Sequence, residues 1–184
     1  AGEESEVDVR IVPGWSWLNL VAELLQGRRP AVQADHLTWQ AARKLESRLG
    51  VGPVAATDLT RPLRLVKTPA EQGRLREAAR LTDAAFAHVL EGVLRAGVRE
   101  VDVALALEHY VREQGADAMG FDVIVASGPR SAMPHGVASP RVIERGDLVT
   151  LDFGARVDGY HADMTRAVAI GPVAPPLRDW FDVV

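Results

Sequence analysis

The sequence predicts an α+β protein in two parts: a partial α/β domain over 1–62 and a larger segment over 63–184 in which helices precede antiparallel strands. Three observations predict it. Residues 1–60 alternate strand-like and helix-like runs. A strong helix-start signal at 68–71 opens the first of two helices, and that first helix carries an apolar stripe. After Gly115 the pattern switches to strand character, and Asp158-Gly159 separates two strand-like runs as a hairpin turn does.

Taken in order, VDVRIV (7–12) alternates apolar and polar residues like a strand. Residues 16–27 and 37–49 read as amphipathic helices, with AVQAD (31–35) as a short strand between them. This piece is too small to close a sheet, so more chain is expected upstream. A boundary falls near 57–68. Thr68-Pro69-Ala70-Glu71 is a capping box: Thr68 caps, Pro69 suits the first helical position, and Glu71 reaches back. The helix is expected over 69–96, with Leu75, Ala78, Leu81, Ala85, Val89 and Val93 as its stripe and Gly97 as its stop. A second helix over 100–114 stops at Gly115 in the same way. FDVIVAS (121–127), LVTLDFGA (148–155) and HADMTRAVAI (161–170) then read as strands, and LRDWFDVV begins another helix.

Composition narrows the function. Of 184 residues, 47% are hydrophobic and 25% charged, which suits a soluble globular protein. The net charge of -4 argues against nucleic acid and anionic membrane as partners, both of which favour basic patches. No apolar run is long enough to span a bilayer. The acidic, polar first ten residues do not read as a signal peptide. The absence of cysteine excludes disulfides, thiolate-bound zinc and a thiol nucleophile, and a cytoplasmic location fits.

The hairpin carries the chemistry. With Asp158-Gly159 as turn centre, Val157 faces Tyr160 and Asp152 faces Thr165. Side chains alternate with period two, so Asp152, Asp163 and Thr165 share a face, and His161 has the same parity. The two carboxylates become diagonal neighbours, roughly 7–8 Å apart at the backbone. A register slip of one residue would separate them. Asp is disfavoured in strands, and Asp152 lies between Leu151 and Phe153 in a run that reads as buried. Two acids on one buried face need a positive group between them: an arginine, protons or metal ions. Oxygen ligands suit magnesium, manganese and related ions. Two such ions about 3.5–4 Å apart, sharing a carboxylate, form a known hydrolytic device. Thr165 is then placed to hydrogen-bond a ligand carboxylate. The alternative is that both acids are ordinary residues near a turn, one of them paired with Arg156 or Arg166.

PRSAMPHGVASP (129–140) is a Pro-, Ser- and Gly-rich loop after a strand, and it holds His135. His135 is a candidate to donate a hydrogen bond to a polarised carbonyl or to pass a proton, against the alternative of a surface histidine. His161 is a candidate for substrate contact. His36, His88 and His109 fall on predicted helices and are read as non-functional.

Together LRLVKTPAEQGRLREAA, FDVIVASGPRSAMPHG, GDLVTLDFGA and GYHADMTRAVAIG resemble the pita-bread metallopeptidases: aminopeptidase P, prolidase, methionine aminopeptidase and creatinase. The resemblance is close over 61–184 and loose over 1–60. It implies the N-terminal half of a pita-bread catalytic domain, preceded by part of a creatinase-type N-terminal domain. It implies Asp152 and Asp163 as metal ligands, the first typically binding through both oxygens and the second bridging. It makes His135 the active-site histidine that contacts the scissile peptide group. The N-terminal extension and the motif details look most like bacterial Xaa-Pro peptidases. Arg130, where Asn is common, Ala167, where Thr is usual, and Arg99, where Thr would cap better, depart from the pattern.

The resemblance implies two divalent metal ions, manganese first, with cobalt or zinc as alternatives. It implies a proline-containing peptide or dipeptide substrate and a homodimer. The remaining ligands of the family, one His and two Glu, lie further along its chains, so these 184 residues are expected to hold half a site and to be inactive alone. Creatinase-like C–N hydrolysis is the runner-up chemistry. A non-catalytic pita-bread module that binds peptides or proteins is the alternative of a different class, and such relatives tend to lose the metal-binding acids.

Overall fold

The computed structural model describes residues 10–25, 28–181 and 183. They fall into two compact units, Ala1–Val66 and Lys67–Val184. In the first, a 3-10 turn leads into α1 (Trp17–Leu24), then β1 (Ala31–Gln33), α2 (Trp39–Leu49), β2 (Val54–Ala56) and α3 (Arg61–Leu65). Thr68 is not the only capping threonine: Thr38 starts α2 by accepting the Ala41 N–H, and Gly50 ends it at φ 70°. Leu18, Ala41 and Leu45 are buried. β1 and β2 pair in parallel, Ala31 opposite Val54. Two expectations change. Residues 10–12 are not a strand, and Ile11 is almost fully exposed, while 7–9 lie outside the described residues. A period-two pattern makes a strand only where a partner takes its backbone groups. The helix expected over 16–27 ends at Leu24, and 26–27 also lie outside the described residues.

In the second unit α4 (Pro69–Gly92) starts on the expected capping box. The Thr68 hydroxyl accepts the Glu71 N–H, and Glu71 accepts the Thr68 N–H at 2.7 Å. Ala78, Leu81, Ala85 and Val89 form its buried stripe. The helix stops short of Gly97. Leu94 donates to Val89 O and turns into the core, and Gly97 and Val98 pair instead with Ile143. α5 (Glu100–Glu113) buries Val103, Leu107 and Val111 on the same core.

The strands form two antiparallel three-stranded sheets, where the sequence predicts longer single strands. One is ordered β4 (Ile124–Ser127), β5 (Leu148–Phe153), β8 (Met164–Ala169). The other is β3 (Ala118–Met119), β6 (Ala155–Val157), β7 (Tyr160–His161). The run expected over 148–155 is therefore cut at Gly154, and the run over 161–170 at Ala162–Asp163. Residues 118–119 pair with β6 and 124–127 with β5, so 121–123 cross between sheets and join neither ladder. Val149, Leu151 and Phe153 of β5 point into the core beneath α4 and α5, as a period-two strand requires. Leu148, Thr150 and Asp152 take the other face. α6 (Pro175–Phe181) follows β8.

Candidate metal centre

The hairpin is built from its turn. Asp158 and Gly159 have φ 48° and 79°, the mirror-image turn whose twist matches the flanking strands. Val157 pairs with Tyr160, and Asp152 with Thr165, so the register runs through the break without a slip. Gly154 makes the break possible. A β-carbon there would overlap the carbonyl of Ala162. The two strands close on each other at this point, directly opposite Asp163, and only glycine permits it.

α4 holds the hairpin at two levels. The buried Thr82 hydroxyl accepts the Ala155 N–H at 2.9 Å and donates to Ala78 O. At the turn, Tyr160 donates to Glu71 at 2.8 Å, and Arg74 reaches Asp158. The Thr68 backbone bond, then the Thr68 hydroxyl and Tyr160, hold the Glu71 carboxyl below its usual range. The tyrosine hydroxyl is correspondingly raised, chiefly by its bond to Glu71.

Thr165 Oγ1 donates to Asp152 Oδ1 at 3.0 Å. Neither arginine of the alternative reading neutralises the acids. Arg166 donates to the carbonyl of Thr165, and Arg156 lies 3.9 Å from Asp117. Among the described residues no cationic side chain pairs with Asp152 or Asp163. One expectation is corrected. The face carrying them is not buried here: Asp152 is half-buried, and Asp163, Thr165 and His161 are exposed. β5 carries Asp152, β7 carries His161 and β8 carries Thr165, with Asp163 in the link between β7 and β8, and no element among the described residues covers the three exposed ones. His161 lies beside Gly120, its Nδ1 3.3 Å from where a β-carbon of that glycine would stand.

His135 sits in an exposed loop that starts as a 3-10 turn, Gly128–Ala132. The loop returns along β4: Val137 bridges to Ile124, which is also the partner of Asp152. Val137, Ile124, Asp152 and Thr165 therefore form one row across the sheet, and His135 lies two residues from its end. The close approach depends on Gly136, where a β-carbon would come within 2.9 Å of Ala126 Cβ. The other histidines serve elsewhere. His88 stacks on Tyr110, and His109 lies 3.2 Å from Glu113.

Glu100 is the site-related residue that sequence reasoning missed. It is completely buried at the start of α5 and accepts hydrogen bonds from Ser127, Ser139 and Arg130, which flank or lie in the His135 loop. Its partners are far away in sequence, so only an acid at an apolar helix start could have hinted at it.

Two carboxylates, one oriented by a hydroxyl and neither held by a cation, suit a divalent ion with oxygen preference. They are too few to hold it alone. Among the described residues no group of three or more His, Asp or Glu is arranged to bind a metal.

Residues 73–184 match the model of metallopeptidase family M24, and the chain belongs to that family. Its fold is the N-terminal half of the pita-bread catalytic domain. The uncharacterized peptidase YqhT of Bacillus subtilis is 50% identical over 131 residues, 71% of this chain and 37% of that protein. Among solved structures, an Xaa-Pro dipeptidase from Bacillus anthracis superposes with a TM-score of 0.86 at 41% identity, over 91% of this chain and 48% of the other. An X-Pro aminopeptidase from Thermotoga maritima superposes at 0.83 and 32% identity, over 97% and 52%. The chain thus spans about half or less of the length of these relatives.

Proposed function

We propose that this chain supplies the N-terminal half of the active site of a dinuclear metal-dependent exopeptidase that removes a residue preceding proline or splits an Xaa-Pro dipeptide. The observation that carries the proposal is the pair Asp152 and Asp163, in register on one side of a hairpin, with Thr165 bonded to the first and no cation on either. The likeness to an Xaa-Pro dipeptidase and an X-Pro aminopeptidase supports the proline preference. In this reading residues 1–62 belong to a partial N-terminal domain and 63–184 to the catalytic one.

Asp152 and Asp163 would hold the metal, manganese first on the hardness of their oxygens, with cobalt or zinc as alternatives. When bound, the ions supply Lewis acidity toward the carbonyl and lower the pKa of water. Thr165 fixes one oxygen of Asp152 and so directs the other. His135 donates a hydrogen bond to the scissile peptide group, which stabilises charge developing on its oxygen. His161, exposed on the same hairpin, contacts the substrate. The further ligands come from outside these 184 residues, which alone lack peptidase activity. A cytoplasmic homodimer is the corresponding assembly.

Metal content and Xaa-Pro cleavage of the intact gene product, with Asp163→Ala as control, test this. Two metals per chain, with proline-dependent cleavage that is lost in the variant, are expected. No metal and no cleavage would make the aspartates structural and favour a peptide-binding module.

A further inference from the structure

We infer that Glu100 is a positioning residue that clamps both ends of the His135 loop, an inference that rests on the peptidase reading above for its catalytic consequence. The loop leaves β4 at Ser127 and ends at Ser139. One oxygen of the Glu100 carboxylate accepts the Ser127 N–H at 2.7 Å and its hydroxyl at 2.8 Å. The other accepts the Ser139 N–H at 3.0 Å and its hydroxyl at 2.6 Å. Arg130, inside the loop, adds its Nε at 3.2 Å and donates a further bond to Val137 O at 2.6 Å. A single side chain thus closes segment 128–138 at its base and ties its first turn to its return.

A fully buried carboxylate is costly unless its lone pairs are filled, and a leucine would pack this helix start without that demand. Five donors converge on Glu100 instead. Burial pushes its carboxyl up, but the bonds from Ser139 and Ser127 outweigh it and hold the group below its usual range. Arg141 extends the knot, donating to the Ser127 hydroxyl and pairing with Asp147 at 2.6 Å. Ser127, Arg130 and Ser139 lie in the loop or at its two ends, and Arg141 and Asp147 follow it on the way to β5. The loop has no strand ladder of its own beyond the Val137 bridge; the Thr150 hydroxyl bonds the Ser131 carbonyl, and the rest of its hydrogen-bonded hold on the sheet comes from this closure. Glu100 acts through the loop and does not touch substrate.

Glu100→Gln keeps the shape but replaces one acceptor oxygen with a donor that faces other donors. Hydrogen exchange on the 184-residue chain reads the clamp without reference to catalysis. Peptides covering 128–139 are expected to exchange at least about tenfold faster, with 148–153 unchanged. Equal exchange over 128–139, or parallel loss over 148–153, would overturn the clamp. Should E100Q fail to fold, the pair Ser127→Ala and Ser139→Ala carries the same test, since it removes two donors and leaves the charge paired by backbone. In the intact gene product loaded with manganese(II), E100Q is expected to lower kcat about tenfold while KM and metal content hold, the signature of an interaction made in the transition state. Faster exchange with unchanged kcat would overturn the positioning role and leave the peptidase reading intact. A wild-type protein that exchanges as expected but cleaves nothing would sink the peptidase reading, and with it the catalytic part of this inference, while the clamp itself stands.

Discussion

Thr165 makes one contact that bears on chemistry, its 3.0 Å bond to Asp152. Thr165→Val keeps shape and strand preference but removes the donor. Metal affinity of the intact gene product is expected to fall about 10- to 100-fold, as when other partners of ligating groups are removed, with stability nearly unchanged. Titration with manganese(II) followed by calorimetry checks it. Equal affinity would remove Thr165 from the site. Gly154 is the other residue whose identity the geometry dictates. Gly154→Ala must displace the Ala162 carbonyl, so a loss of at least about 2 kcal/mol in urea unfolding is expected, together with altered chemical shifts at Asp163. An unperturbed variant would mean that the two strands have room to separate.

At the scale of elements, the hairpin takes its position from α4. Thr82 is the buried bolt, giving one bond to its own helix and receiving one from Ala155. Thr82→Val is nearly isosteric and strands the Ala155 N–H. A loss of about 1–3 kcal/mol is expected by chemical denaturation, the range for an orphaned buried donor. A neutral result would show that water replaces the hydroxyl. The outer tie, Tyr160 to Glu71, is half-buried, and Glu71 also completes the capping box, so one carboxylate serves both the helix start and the hairpin turn.

The whole molecule should respond to acid through its inner carboxylates. Glu100 and Asp147 both sit below their usual range. For each, burial pushes up and is outweighed by hydrogen bonds, from Ser139 and Ser127 in one case and from Arg141 and the Glu144 N–H in the other. A carboxyl with a lowered folded-state pKa binds fewer protons folded than unfolded, so stability rises with pH across its titration. The contribution is complete above the ordinary carboxylate range and is lost as pH falls through the lowered values. Urea midpoints measured between about pH 3 and 6 should climb, and the climb should be shallower in Asp147→Asn. A flat profile would contradict the lowered values.

Local rules determined much of this protein. The capping box, the stripe of α4, the Asp158-Gly159 turn and the Asp152–Thr165 register all follow from contacts a few residues apart or from strict alternation about a turn, and these are legible in one dimension. The hairpin count also put the two acids on one side, which was enough to suggest a metal. Tertiary structure decided the rest. The cut at Gly154 depends on how closely Ala162 approaches from the other strand. The early end of α4 depends on Leu94 finding the core and on Gly97 finding Ile143. The exposure of the acidic face depends on what packs against the sheet, which no strand pattern states. Glu100 is the clearest case. Its partners lie 27, 30 and 39 residues away, and a buried charge is recognised only by the donors that surround it.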